Sequence, residues 1–221
     1  MHIFDILGPV MTGPSSSHTA GAARIGYVSY RLLDDMPAEA DIYLHGSFAT
    51  TGTGHGTDRA LIAGLMGMKP DDTRIPDSFA IARERGLSFS FSTIEINDAH
   101  PNTALLRLVG KSGKKLEVQA ASIGGGRIRI QKLDGVDLNF SLEKPTLIVH
   151  NMDKPGCVAA VAGLLSDKKI NIASMQLYRD GKHGRAVMVL ETDQFISPEA
   201  AEFLSHTEGI LKVTYFNSEE I

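Results

Sequence analysis

The segment Gly13-Pro14-Ser15-Ser16-Ser17-His18-Thr19-Ala20-Gly21 gathers four hydroxyls and an imidazole behind a Gly-Pro turn. Ser and Thr at a helix start accept hydrogen bonds from its free N–H groups. Those same N–H groups attract a carboxylate or phosphate, and an imidazole beside them titrates near neutral pH. The segment reads as a place where a small anion meets a proton-transfer group, His18. It reads equally as a capped helix with an exposed histidine. Gly52-Thr53-Gly54-His55-Gly56-Thr57-Asp58 is a second such segment. Its glycines let backbone N–H groups approach a ligand. His55 and Asp58 can exchange protons or orient a polar substrate. The alternative is a glycine turn with Asp58 as a cap. In a third turn, His100-Pro101-Asn102-Thr103, Asn102 has the groups to bind a substrate amine or carboxylate, or simply its own backbone.

Several chemistries fall away on spacing. Gly8 to Ser15 mimics a P-loop, but Pro14 stands where the phosphate-binding Lys belongs, which rejects nucleotide hydrolysis. In the Gly52–Gly56 loop the third glycine comes one position too early for a dinucleotide fingerprint. His2, His45, His150, His183 and His206 show no paired metal spacing. Cys157 is the one cysteine, too few for an internal disulfide, a Cys-ligated zinc or an iron–sulfur cluster. It falls in an apolar helix and reads as a small core residue. Gly124-Gly125-Gly126 reads as a conformational need of the backbone, or as a place where another chain or ligand comes close.

Positioning these residues takes two regions, divided near Ser141-Leu142-Glu143-Lys144-Pro145. In the first, residues 1–141, helical spacing runs from Thr19 to Leu33. A strand is expected at Ile42–Gly46 and helices at Arg59–Met66 and Phe79–Arg85. Alternation then begins at Ser88, and Thr103–Val109, Leu116–Ser122 and Ile128–Leu133 read as further strands, giving a mostly antiparallel sheet backed by helices. In the second, residues 146–221, strands at Thr146–His150, Ile170–Tyr178, Arg185–Thr192 and Leu211–Phe216 alternate with a helix opened by Asp153-Lys154-Pro155-Gly156 and another at Pro198–His206. A turn spans Arg179–Gly184, with His183 solvated. The order is βαββαβ, ferredoxin-like, and the whole is α+β. At the first strand-to-helix junction, Asn151, Asp153 and the N–H groups following Gly156 suit the ammonium and carboxylate of a free amino acid, or form a plain turn.

Bulk properties fit. The 221 residues are 43% hydrophobic and 6% aromatic, with no Trp, which supports an aliphatic globular core. A net charge of -4 gives no footprint for nucleic acid. No signal peptide and no membrane-length apolar run is evident, so a cytoplasmic protein is expected.

The Ser-Ser-Ser-His-Thr and Gly-His-Gly-Thr-Asp motifs, with His100-Pro101-Asn102, Ser122-Ile123-Gly124-Gly125-Gly126 and the C-terminal βαββαβ unit, closely resemble the β subunit of bacterial iron–sulfur-dependent L-serine dehydratases. The likeness runs the whole chain, and the C-terminal unit looks like an ACT domain. The N-terminal region also resembles the allosteric substrate-binding domain of some 3-phosphoglycerate dehydrogenases. The resemblance implies a lyase subunit acting in serine catabolism, which makes pyruvate and ammonia from L-serine. It implies a [4Fe–4S] cluster whose open iron binds the serine hydroxyl. With Cys157 alone here, that cluster belongs to a separate α subunit, and this chain is inactive by itself. His55, His18 and Asp58 are the expected catalytic set, with Ser15, Ser16, Ser17, Thr19 and Asn102 around the substrate. The ACT unit is expected to sense an amino acid through Asn151, Asp153 and Gly156, and to self-associate within an α₂β₂ assembly. The rival function is a non-catalytic amino-acid sensor like the control region of 3-phosphoglycerate dehydrogenase; two histidine-bearing loops are more than a sensor requires.

Overall fold

A computed structural model describes residues 10–52, 54–179 and 184–217. The expectations for the N-terminal leader, for Thr53 and for His183 in its turn lie outside the described residues. The chain divides into two compact units, Met1–Gly135 and Val136–Ile221. This division comes ahead of the expected Ser141–Pro145 segment.

The first unit opens with a π turn, Ser16–Ala20, running straight into α1, Gly21–Leu33. β1, Pro37–Leu44, leads to the short α2, Ser47–Thr51, and then to α3, Thr57–Leu65. After a 3-10 turn at Ile75–Asp77 come α4, Ser78–Glu84, and β2, Ser88–Thr93. A meander follows: β3, Thr103–Gly110, β4, Lys115–Gly124, and β5, Arg127–Leu133, while β6, Val136–Phe140, falls past the Gly135 boundary. The six-stranded sheet has the order β2-β1-β3-β4-β5-β6.

Two features depart from expectation. β1 and β2 run parallel, pairing Glu39 with Ser88 through Leu44 with Thr93, while β1–β3, β3–β4 and β4–β5 are antiparallel. A parallel pair needs a crossover, and α2, α3 and α4 make it. α2 itself was not expected: a helix of five residues is too short to show a periodicity in sequence.

α1 buries Ala22, Ala23, Ile25, Val28, Leu32 and Leu33. It crosses α3 at backbone distance. A Cβ on Gly26 would lie 2.2 Å from the Leu61 carbonyl oxygen, and one on Gly64 would lie 2.1 Å from that of Ala23. Only glycine allows so close a crossing. It matters for the site because the π turn with His18 precedes α1 and the loop with His55 precedes α3.

The second unit contains β7, Thr146–Met152, α5, Cys157–Asp167, β8, Ile172–Arg179, β9, Arg185–Thr192, α6, Pro198–Ser205, and β10, Ile210–Phe216. Its antiparallel sheet has the order β10-β7-β9-β8, as the βαββαβ reading requires. Leu147, Val149, Val161, Leu165, Met188 and Leu190 form its core with no exposed surface. Each such side chain stabilises the fold by about 1.5–3 kcal/mol relative to exposure. Cys157 lies in the same core, 2% exposed, as expected of a small apolar residue. Asp153 does not cap α5. Gly156, at φ +99°, is the N-cap residue, and the Asp153 carboxylate pairs with Arg179 instead.

Candidate functional site

The first unit brings two of its three predicted loops together around an imidazole pair. Ser15 acts as the helix cap expected of it: its Oγ accepts from the His18 amide at 3.1 Å. This sets the π turn and points the His18 ring toward α2. There His18 Nε2 lies 3.0 Å from Ser47 Oγ and 3.1 Å from Thr51 Oγ1, while Nδ1 lies 3.1 Å from Ser17 Oγ. A neutral imidazole donates at one nitrogen and accepts at the other, and freely rotating hydroxyls suit either tautomer. The Phe48 ring meets the His18 ring edge-on, with centroids 5.4 Å apart. Ser47 and Thr51 stand four residues apart and so share one face of α2.

His55 comes in from the second loop, its ring centroid 5.0 Å from that of His18. The loops are tied at the backbone: Thr19, 2% exposed, donates its hydroxyl to the His55 carbonyl at 3.0 Å. The His55 side chain is exposed and has no hydrogen bond to a described residue. Burial first, then the neighbouring His55, hold the His18 imidazole below its ordinary value near 6.5, with a hydrogen bond at Ser47 pulling the other way. Burial and His55 both favour the neutral form of His18. His55, but not His18, lines an open cleft of about 250 Å³, bounded by Gly13, Pro14, Thr19, Arg59 and Pro76 among others. Its size suits a metabolite smaller than a drug-like ligand.

The remaining predicted residues are placed less centrally. Ser17 contacts His18 and, at 3.4 Å, Ser15. Ser16 starts the π turn, and its carbonyl accepts from the Gly21 amide. The Asp58 carboxylate accepts from the Arg59 amide at 2.8 Å and makes no hydrogen bond to His55. Asn102 uses its backbone: its carbonyl accepts from the Ser122 amide at 2.9 Å and its amide donates to His100 Nδ1 at 3.1 Å. The turn it belongs to lies at the foot of α2, where the Phe48 amide donates to the Pro101 carbonyl at 3.3 Å. Sequence reasoning missed Ser47, Phe48 and Arg59. The Ser47/Thr51 spacing was the available signal, obscured because α2 was not anticipated.

In the second unit, Asn151 is 2% exposed and donates through Nδ2 to the Met152 carbonyl at 2.7 Å, leaving its Oδ1 buried without a hydrogen-bond partner. Asp153 is committed to Arg179. Gly156 is exposed at the start of α5. Among the described residues no group of three or more His, Cys, Asp or Glu could hold a metal ion, and Cys157 is buried in the core. These residues do not fit an iron–sulfur cluster.

Fold and cleft together define a two-unit α+β protein, with a small cleft beside His55 on the first unit and a ferredoxin-like βαββαβ arrangement in the second. The serine dehydratase beta chain family matches residues 2–85, and the ACT domain family matches residues 145–202. A protein of Bacillus subtilis (strain 168) named probable L-serine dehydratase, beta chain, is 42% identical over 96% of each chain. The L-serine dehydratase beta chain of Peptoniphilus asaccharolyticus is 36% identical over 86% of each. The chain belongs to the serine dehydratase beta chain family and carries an ACT domain at its C-terminal end. The D-3-phosphoglycerate dehydrogenase of Bacillus subtilis is 26% identical over 87% of this chain but only 36% of that enzyme. No helix among the described residues is long and apolar enough to cross a membrane.

Proposed function

We propose that this chain is the β subunit of a cytoplasmic, heteromeric L-serine dehydratase, a lyase that converts L-serine to pyruvate and ammonia. The imidazole pair carries the reading: the His18 and His55 ring centroids lie 5.0 Å apart, His55 lines a small cleft, and burial favours the neutral form of His18. The reaction removes the α-proton and expels the β-hydroxyl as water. The resulting enamine tautomerises to an imine, which water hydrolyses to pyruvate and ammonia.

His55, whose ring is open to the cleft, is the group that handles the proton. His18 stands beside it in the neutral form that burial favours, held by the Ser17, Ser47 and Thr51 hydroxyls. Ser15, Ser16 and Ser17, with Thr19, shape the wall nearest His18, and Asn102 completes it from the α2 foot. Asp58 takes the serine ammonium. The [4Fe–4S] cluster belongs to the α subunit and no part of it to this chain. The first domain, residues 1–141, completes the α subunit's active site. The second, residues 146–221, pairs with its own copy and senses an amino acid through Asn151, Asp153 and Gly156.

Co-expression with the α subunit under anaerobic conditions, followed by a pyruvate assay, tests this. The pair is expected to turn over serine, and neither chain alone to do so. Full-rate turnover by this chain alone, or by the α subunit alone, would overturn the reading.

A further inference from the structure

Arg59 is the one cleft residue whose charge nothing described neutralises. It lies in the first turn of α3, four residues after His55, and lines the same 250 Å³ cleft. Its side chain is exposed and makes no ion pair with a described carboxylate. Yet it is firmly placed. Its amide donates to Asp58 Oδ1 at 2.8 Å, and its carbonyl accepts from Ser78 Oγ at 2.8 Å. Its Nη1 donates to the Pro76 carbonyl at 2.6 Å, and its guanidinium carbon sits 5.8 Å from the Phe79 ring centroid. One carbonyl occupies only part of a five-donor fork. The remaining donors are held in place with no anion to meet.

Resting on the proposed dehydratase reading, we infer that Arg59 recognises the carboxylate of the amino-acid substrate, fixing it in the cleft so that its α-carbon faces the His18–His55 pair. A planar guanidinium matches a carboxylate in a two-point fork, which a lysine ammonium does not reproduce. A single cation matches a single carboxylate; a phosphate ester would call for more positive charge than this cleft offers among its described lining residues. The carbonyl and ring contacts fix the guanidinium in advance, so little side-chain freedom is lost on binding. Such a contact is made equally before and during reaction, so it belongs in KM rather than kcat.

The test has two arms. In the α/β pair, Arg59→Gln is expected to raise KM for L-serine by about tenfold to a hundredfold. Its kcat should change far less, and Arg59→Lys should recover only part of the loss. In the full chain alone, the His55 ring resonances are followed by NMR on titration with propionate and, separately, propionamide. Propionate should shift them in the wild type and not in Arg59→Gln, and propionamide in neither. Thermal unfolding of each variant separates recognition from a merely structural link to Pro76. An unchanged KM in Arg59→Gln, or a propionate response that survives the substitution, overturns the inference. A wild-type pair inactive on serine overturns the dehydratase reading instead, and the propionate arm then decides on Arg59 by itself.

Discussion

His18 owes its chemistry to its neighbours. Three hydroxyls hold its two ring nitrogens, and burial and His55 favour its neutral form. His18→Gln removes the ring but keeps a hydrogen-bonding group; pair activity is expected to fall at least ~100-fold. His55→Ala should lower turnover comparably while leaving the unfolding midpoint near wild type, since the ring is exposed. Wild-type turnover in His55→Ala would reject its role. A pH dependence of stability also follows. The folded His18 binds its proton below the ordinary value near 6.5, so the unfolded chain takes one up first as pH falls. The contribution is fully present above that value and shrinks as pH drops toward the folded value. Urea unfolding at about pH 7.5 and about pH 5.5 should show this loss, smaller in His18→Gln.

Two helices keep the imidazoles in register. α1 and α3 start at the site and then cross with glycine against backbone, so their spacing sets how closely the π turn meets the His55 loop. A methyl group at position 64 would meet the Ala23 carbonyl and, at 2.5 Å, the Tyr27 nitrogen. Both are backbone atoms that cannot rotate aside. Gly64→Ala gains some helix propensity, yet overpacking dominates. A net loss of about 1–3 kcal/mol is expected by urea denaturation. Activity of the pair should fall further than the folded fraction, because the site is displaced along with the helix. α2 has the opposite character: it is one turn long, and its value lies in presenting Ser47 and Thr51 to His18 and Phe48 to the core.

The molecule as a whole joins two compact units. The second has a well-filled core of its own and, among the described residues, one buried polar exception, the Asn151 Oδ1 with no hydrogen-bond partner. A buried acceptor left without a donor costs about 1–3 kcal/mol, which an arriving ammonium or amide would relieve. Calorimetric titration of L-serine into the full chain is therefore expected to give heat that Asn151→Leu abolishes and His55→Ala leaves in place. Heat that persists in Asn151→Leu would remove Asn151 from the sensing site. Absence of heat in the wild type would leave the second unit a purely structural partner in assembly.

Local rules made much of this protein legible. The βαββαβ order of the second unit followed from apolar periodicity and turn chemistry, both properties of neighbours in sequence, and it recurs strand for strand. Ser15 as a cap and Cys157 as core were legible for the same reason. The two histidine loops stood out because hydroxyls, imidazoles and glycines in such runs serve no simple core. What periodicity could not contain was contact across distance. α2 is too short to announce itself, and the parallel pairing of β2 with β1 depends on where the crossover helices pack. The closeness of His18 to His55 rests on Gly26 and Gly64, two residues whose meaning is visible only when the helices meet. Arg59 remained unremarkable until the fold set it in the cleft with no described carboxylate paired to its guanidinium. Short-range preferences are written into each stretch of chain, whereas site geometry comes from packing between stretches far apart.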